Sequence, residues 1–283
     1  MTPHRLQRVA RQHLEFDRLM GVAFTPVAEA APAVVAQEPV EARVPAATAP
    51  PPTVARPARE SAPRAAPPRP APAAVGSPAL SAVPLRDVAP GDRTAALAEV
   101  RARLAEDPAV AKLQPPGTKI VFGEGSPTAD IAFIGEGPGE TEDRLGRPFV
   151  GKAGQLLEKM VTAMGFAREE VYITNAVNFR PPGNRAPTPE ETAACLPYLL
   201  EQLAVVRPKA AVLLGGSAAR VMLDTKTGIT RLRGSWQSIR LVDPPLKAMP
   251  TFHPAFLLRS YTVDNRKKVW SDLQAVLAET EGA

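Results

Sequence analysis

The chain has 283 residues, of which 33 are proline and one is cysteine, and its formal net charge at pH 7 is +5. The single cysteine, Cys195, excludes disulfide bonds within the chain and any metal site built of cysteine alone, as is typical of a reducing cytoplasm. No stretch has the apolar core of a signal peptide or the roughly twenty apolar residues of a transmembrane span, so we expect a cytoplasmic protein that does not contact a membrane.

The first 93 residues differ from the rest of the chain. Residues 1–24 carry apolar side chains at helical spacing, which predicts a short amphipathic helix that either packs on the protein or binds a protein partner. Residues 25–93 are mostly alanine, proline and valine, and sixteen prolines lie between Pro26 and Pro90. This composition buries too little apolar surface to offset chain entropy, so it predicts a disordered linker and, with the helix, a disordered N-terminal arm.

Residues 94–283 are expected to form one domain, and the protein is expected to be a monomer. Residues 1–94 hold eleven basic and eight acidic side chains, which leaves twenty-three basic and twenty-one acidic for the remainder, or +2. Bulk charge therefore does not indicate a nucleic-acid partner, and any case for DNA depends on local features.

Helical and extended patterns alternate after the linker, with short joins. Helical patterns occur at 94–104, 154–165, 188–206, 217–223 and 265–278. Extended patterns occur at 130–134, 171–177, 210–214, 235–241 and 249–252. This alternation predicts an α/β fold with a mainly parallel sheet. Ligands of such sheets bind at the carboxyl ends of the strands, so we expect the loops that follow the strands to converge.

The loop after the first buried strand pattern is rich in glycine and acids. Gly135 and Gly137 allow the backbone to approach a ligand closely, and Glu136 lies between them. One interpretation is a dinucleotide site, in which glycines cradle a pyrophosphate. That interpretation fits poorly, because the next helical pattern starts only near Ala153 and acids such as Glu142 repel phosphate. The loop is better interpreted as the wall of an active site.

The segment that follows the last strand pattern combines one histidine with apolar residues and a cation. His253 is the only histidine of the domain, and it is either a packed structural residue or a hydrogen-bond donor to a departing anion. Phe256, Leu257 and Leu258 are apolar residues in a predicted loop and are followed by Arg259. This combination is typical of a wedge with a phosphate anchor, although the leucines also suit ordinary core packing.

Three further positions at strand ends and loops are candidates for binding. Asn175 offers a donor and an acceptor that suit the polar edge of a base, although asparagine is also a common turn residue. Phe149 is either core or a ring that stacks on a flat ligand. Ser217 opens a helix after two glycines, and its N-terminal amides could hold a phosphate.

Four ordered motifs resemble those of the family 4 uracil-DNA glycosylases. They are Gly-Glu-Gly-Pro-Gly-Glu at 135–140, Gly-Arg-Pro-Phe-Val-Gly-Lys-Ala-Gly-Gln-Leu-Leu at 146–157, Arg-Pro-Pro-Gly-Asn-Arg-Ala-Pro-Thr-Pro-Glu-Glu at 180–191 after Asn175, and His-Pro-Ala-Phe-Leu-Leu-Arg at 253–259. The resemblance implies a three-layer α/β/α sandwich around a central, mainly parallel four-stranded sheet. It also implies base excision repair, in which the N-glycosidic bond of deoxyuridine in DNA is hydrolysed after the nucleotide is flipped into a pocket.

The resemblance also implies roles for individual residues. Phe149 stacks on uracil, Asn175 reads its edge, and His253 stabilises the uracil anion that leaves. Glu136 and Glu142 position water and favour the positive sugar. In the best-known uracil glycosylases an aspartate occupies the position that matches Gly137, and its absence leaves open which group orients the water.

The metal site of the family is the main departure. The family pattern supplies four cysteines to a [4Fe–4S] cluster, and here three of those positions fall near Pro108, near Ala111 and at Phe179. Only Cys195 is retained, and one thiolate cannot hold a cluster that needs four ligands. We therefore predict no cluster and no other cofactor, with apolar packing around Phe179 in its place.

Two other functions are compatible with the sequence. One is a noncatalytic DNA-binding protein of the same fold, recruited through its Pro-rich arm to a repair or replication complex. The other is a glycosylase that acts on a different deaminated base. The presence of Glu136, Asn175 and His253 favours uracil excision.

Overall fold

The computed structural model describes residue 18, residues 83–84 and residues 86–281. Apart from Arg18, the predicted amphipathic helix at 1–24 therefore lies outside the described residues, as does most of the predicted linker at 25–93. All described residues belong to one unit of the chain.

The strands form one large sheet and one small pair. In chain order they are β1 (Val83–Pro84), β2 (Glu124–Gly125), β3 (Ile131–Gly135), β4 (Tyr172–Asn175), β5 (Ala210–Leu214), β6 (Gln237–Ile239), β7 (Val242–Asp243) and β8 (Leu246–Thr251). The large sheet has six strands in the order β2-β4-β3-β5-β8-β6. Its four central strands are parallel, as predicted, and the short edge strands β2 and β6 are antiparallel to their neighbours.

Helices cover both faces of this sheet. They are α1 (Arg93–Glu106), α2 (Pro108–Leu113), α3 (Glu140–Leu145), α4 (Lys152–Ala163), α5 (Pro189–Val206), α6 (Gly215–Leu223), α7 (Ile229–Leu232), α8 (Pro254–Arg259) and α9 (Val263–Glu281). Every residue of β3 and β5 is buried, as expected for parallel strands covered on two sides. Phe133 of β3 packs with Leu157 of α4 and Trp270 of α9, whereas its neighbour Ile134 packs with α5 and α6 on the opposite face. The three-layer α/β/α architecture is confirmed.

The ordered domain begins before the boundary that composition predicted. Val83 and Pro84 pair in parallel with Val242 and Asp243, and the amide of Arg86 donates to the carbonyl of Ala204 at 3.0 Å. The described part of the segment 83–93 is therefore structured, which corrects the end of the predicted linker. Composition does not predict this strand, because a two-residue strand is stabilised by its distant partner and is too short to show a repeating hydrophobic pattern.

Candidate active site

A cavity of about 890 Å³ opens at the carboxyl ends of the parallel strands. Each central strand delivers a lining residue at or just after its end: Glu136 after β3, Asn175 on β4, Gly215 after β5 and His253 after β8. Gly135 and Asn175 are register partners, as are Leu214 and Thr251, so the strands end at similar heights. The loops that follow the strands therefore converge on one cavity, as predicted.

Phe149 occupies one wall of this cavity in a constrained backbone conformation. Its φ is +50°, and its side chain is buried in the core cluster while still lining the cavity. The guanidinium of Arg168 donates to the carbonyls of Pro148 at 2.5 Å and Phe149 at 3.1 Å, and it also pairs with Glu124. A Cβ on Gly154 would lie 2.0 Å from the Phe149 carbonyl, so that glycine is needed for the close approach. Phe149 thus serves both the core and the cavity.

Gly135 shapes the cavity without lining it. It is buried, and a Cβ there would lie 2.4 Å from Asn175 Oδ1 and 2.4 Å from Phe149 Cζ. The prediction that Gly135 binds substrate is corrected accordingly, because its role is to let these two side chains approach each other. Gly137 does line the cavity.

The Asn175 amide is buried and incompletely bonded. Its side chain is 2% exposed, and its Oδ1 has no hydrogen-bond partner among the described residues. The Ala176 amide donates to the Gly135 carbonyl at 2.9 Å, which fixes the backbone beside it. A buried polar atom without a partner costs about 1 to 3 kcal/mol. A ligand that donates to Asn175 Oδ1 would remove that cost.

His253 presents a neutral imidazole to the cavity. Its Nδ1 accepts a hydrogen bond from the Ala255 amide at 3.0 Å and caps the N-terminus of α8. Burial, assisted by the positive charge of Arg259, lowers the pKa of His253 to about 4, although Glu142 acts in the opposite direction. Because Nδ1 is an acceptor, the proton of the neutral ring lies on Nε2. The ring centroid lies 5.8 Å from that of Phe149, so the donor of His253 and the Phe149 ring are neighbours in the cavity wall.

Two carboxylates lie on the segment that follows β3, Glu136 in the loop and Glu142 on α3. Glu142 Oε1 accepts from the amides of Val150 at 2.9 Å and Gly151 at 2.7 Å, which fixes the side chain against the cavity wall. Glu136 is half-buried and lines both the main cavity and an adjoining one of about 100 Å³. Negative charge is thus concentrated on the wall where a positive centre could form.

The residues that the sequence predicts to contact DNA differ in their placement. Leu257 is fully buried in the core cluster, whereas its neighbour Leu258 is 45% exposed. The segment forms helix α8 instead of a loop, and Leu257 lies on the face of α8 that packs against the core. Ser217 lines the small cavity and not the main one, although Gly216 before it lines the main cavity. Arg259 does line the main cavity.

Comparison with known proteins identifies the family. The sequence model of the uracil DNA glycosylase superfamily matches residues 122–274. The type-4 uracil-DNA glycosylase of Thermotoga maritima is 45% identical over 161 residues, which cover 56% of this chain and 81% of the relative. Those of Sulfurisphaera tokodaii and Archaeoglobus fulgidus are each 40% identical, over 56% of this chain and 74% and 81% of the relative respectively.

The chain belongs to the type-4 family of the uracil DNA glycosylase superfamily. The resemblance that its four motifs indicated is confirmed.

Val177 limits the side chains that position 137 can accept. A Cβ on Gly137 would lie 2.6 Å from Val177 Cγ2, and Val177 is fully buried. An aspartate therefore does not fit at this position without movement of a buried, β-branched side chain.

The region of the family's cluster cysteines is apolar here. Phe179 and Cys195 are fully buried in one cluster with Leu104 of α1 and Val110 of α2. Pro108 and Ala111 are exposed on α2. Burial raises the pKa of the Cys195 thiol to about 11, so it is a protonated core residue. No group of three histidine, cysteine or acidic side chains in the described ranges is placed to hold a metal ion. This donor set does not fit a [4Fe–4S] cluster.

Several residues of the site were missed by sequence analysis. Arg168 fixes the Phe149 backbone, and Asn265 and Lys268 line the cavity from α9. None of them lies in a motif, because each reaches the cavity through long-range packing. An amphipathic helical pattern predicts α9 but does not say which of its polar residues faces a cavity.

Proposed function

We propose that this chain excises uracil from DNA by hydrolysing the N-glycosidic bond of deoxyuridine. The observation that carries the proposal is the convergence of Phe149, Asn175 and His253 on one cavity, in a fold whose relatives are named as uracil-DNA glycosylases. The target base must leave the duplex to reach this cavity, or be presented on a single strand.

The three residues complement uracil. Its ring stacks on Phe149, its N3–H donates to the unpartnered Asn175 Oδ1, and the Asn175 Nδ2 group donates to O4. Such a site disfavours cytosine, because cytosine presents an amino donor in place of O4. Selectivity thus follows from the orientation of one amide.

Bond cleavage moves negative charge onto uracil and positive charge onto the sugar. The neutral His253 donates from Nε2 to the uracil oxygen on which the negative charge develops, and an aligned donor of this kind stabilises a developing anion. Glu136 and Glu142 place carboxylates near the positive sugar and supply acceptors for the attacking water. Water adds its oxygen to the sugar carbon, and uracil leaves with the bonding electron pair.

An excision assay tests this function. Single-stranded and duplex oligonucleotides with one uracil should yield an abasic site, whereas matched oligonucleotides with thymine or cytosine should not. Binding of uracil DNA without release of the base would instead support a noncatalytic member of the fold. Release of a different deaminated base, without release of uracil, would support a glycosylase that acts on that base.

Two adjacent leucines give a matched pair of variants. We expect Leu257→Ala to lower the free energy of unfolding by about 2 to 5 kcal/mol, because it removes a fully buried side chain. We expect Leu258→Ala to change it by less than about 0.5 kcal/mol and to slow excision from duplex DNA more than from single strands. Denaturant unfolding and single-turnover assays on both substrates measure these effects. If Leu258→Ala and the unmodified protein excise uracil from duplex DNA at equal rates, Leu258 does not act as a wedge.

A membrane and a protein partner are two further possible contacts of the chain. None of the helices in the described residues has the length and apolarity needed to span a membrane. We propose that residues 1–93 contact a protein partner through the predicted helix and Pro-rich linker. A pull-down with the full chain, compared with a chain that starts at residue 83, tests this idea.

We also propose that the chain holds no iron–sulfur cluster, because Phe179 and Cys195 pack into an apolar core instead. Protein purified without oxygen should be colourless and contain far less than the four iron and four sulfide atoms per chain that a [4Fe–4S] cluster requires. Elemental analysis and absorption spectra measure this. Stoichiometric iron and sulfide would contradict the proposal and indicate ligands from another chain.

A further inference from the structure

Exposed apolar side chains cluster beside the mouth of the cavity. Among the described residues, the exposed large hydrophobic side chains are those of Leu145, Trp236, Leu258, Tyr261 and Val263. Three of these five lie within six residues, where α8 turns into α9. A contiguous group of this kind is commonly an interaction site, whereas single exposed apolar residues are unremarkable.

The turn between α8 and α9 is held in place by hydrogen bonds. The Asn265 side chain donates to the Ser260 carbonyl at 3.1 Å, and the Thr262 amide donates to the same carbonyl at 2.9 Å. Asn265 and Arg259, on either side of the turn, both line the cavity. The turn therefore holds Tyr261 at a fixed place next to the site where the base would enter.

Tyr261 has the surroundings of a stacking platform. The guanidinium of Arg266 lies 4.8 Å from the ring centroid, and the side chain is nevertheless 44% exposed. A cation over an aromatic ring stabilises its orientation, and bases stack on such rings in a sequence-tolerant way. The ring is thus oriented by Arg266 while still accessible from solvent.

The charges around this turn favour a polyanion. Residues 258–268 contain the cations Arg259, Arg266, Lys267 and Lys268 and the single acid Asp264, a net charge of +3. Lys268 pairs with Asp264 and also lines the cavity. Phosphate groups flanking a base on Tyr261 would meet Arg259 and Lys267, which are exposed, whereas Arg266 is buried.

We propose that Tyr261 is a stacking platform for a base next to the extrahelical uridine, with Val263 extending its apolar surface. The proposal rests on the proposed uracil excision, because the strand is positioned by the uridine in the cavity. It assigns to this turn the recognition of single-stranded DNA, in which neighbouring bases are free to unstack.

Single-turnover excision from a single-stranded oligonucleotide with one uracil tests the platform. Loss of a stacked base costs about fivefold to 100-fold, so Tyr261→Ala should lower the second-order rate constant by that factor. Tyr261→Phe should retain the rate within about twofold, because it keeps the ring. Trp236→Ala is a matched control, since Trp236 is an exposed aromatic with no cavity-lining residue within four positions, whereas Tyr261 lies between Arg259 and Asn265.

Oligonucleotides with an abasic spacer on the 5′ or the 3′ side of the uridine separate stacking from a structural effect. A spacer at the position whose base stacks on Tyr261 should lower the excision rate of the unmodified protein. On that substrate the unmodified protein and Tyr261→Ala should have the same rate. The proposal is overturned if Tyr261→Ala matches the unmodified protein on every substrate. It is also overturned if the full difference persists with spacers on both sides.

Binding of a fluorescein-labelled single strand without uracil keeps the two proposals distinguishable. If the protein excises no uracil but Tyr261→Ala binds the strand at least about fivefold more weakly, the proposal of uracil excision is wrong and the proposal that Tyr261 stacks on a base is supported. If uracil is excised and neither binding nor rate changes in Tyr261→Ala, the platform fails alone.

Discussion

His253→Asn is expected to lower the single-turnover rate of uracil release by about 10²- to 10³-fold, because it removes an aligned donor to the developing anion. Asparagine can accept the hydrogen bond that His253 Nδ1 accepts from the Ala255 amide, so the cap of α8 should survive. Thermal unfolding of the variant should therefore resemble that of the unmodified protein. A wild-type rate in the variant would remove His253 from the mechanism and show that another group stabilises the leaving uracil.

The pH dependence follows from the lowered pKa of His253. With a pKa near 4, the ring is neutral throughout pH 5.5 to 8, so the excision rate should show no inflection near the ordinary pKa of about 6.5. In the unfolded chain His253 binds a proton below about pH 6.5, whereas in the folded chain it does so only near pH 4. Its contribution to stability is thus complete above pH 6.5 and is lost as the pH falls toward 4. His253→Asn should show a shallower loss of stability across that window.

Asn175→Asp is expected to slow uracil release by at least about 10²-fold, because a carboxylate cannot donate to the uracil O4. The side chain is 2% exposed, so an ionised aspartate would also be buried without a cation. Its carboxyl group can accept from the cytosine amino group, which makes cytosine release the informative side reaction. Rates on uracil and cytosine oligonucleotides measure both effects.

Asn175→Ala is the matched control for that change. It removes donor and acceptor without adding charge, so it should slow uracil release without favouring cytosine. Unchanged uracil release in both variants would show that the base edge is read elsewhere.

The sequence predicts those parts of the site that depend on the strand pattern. Glu136, Asn175 and His253 each come at or after a strand, and parallel strands bring such positions to one edge of the sheet. Phe149 was identified through its motif, and its double role in core and cavity required the observed packing. The fold class follows for the same reason, because alternating helices and strands leave few topologies.

The predictions that needed correction depend on features without a local signal. Leu257 and Leu258 differ by one position, and a short helix in place of a loop directs one of them into the core and the other into solvent. Gly135 is chemically suited to touch a ligand, yet Asn175 and Phe149 occupy the space next to it. Arg168 reaches Phe149 across nineteen positions of the chain, a distance that no motif spans.

The packing of Gly137 against Val177 limits protein engineering at position 137. A Cβ there would lie 2.6 Å from Val177 Cγ2, and Val177 is fully buried. A larger side chain at 137 therefore requires Val177 to move or to be replaced by a smaller residue, which would leave a cavity in the core and lower stability. Substitutions at the two positions should consequently have non-additive effects on stability, because the two side chains share one space.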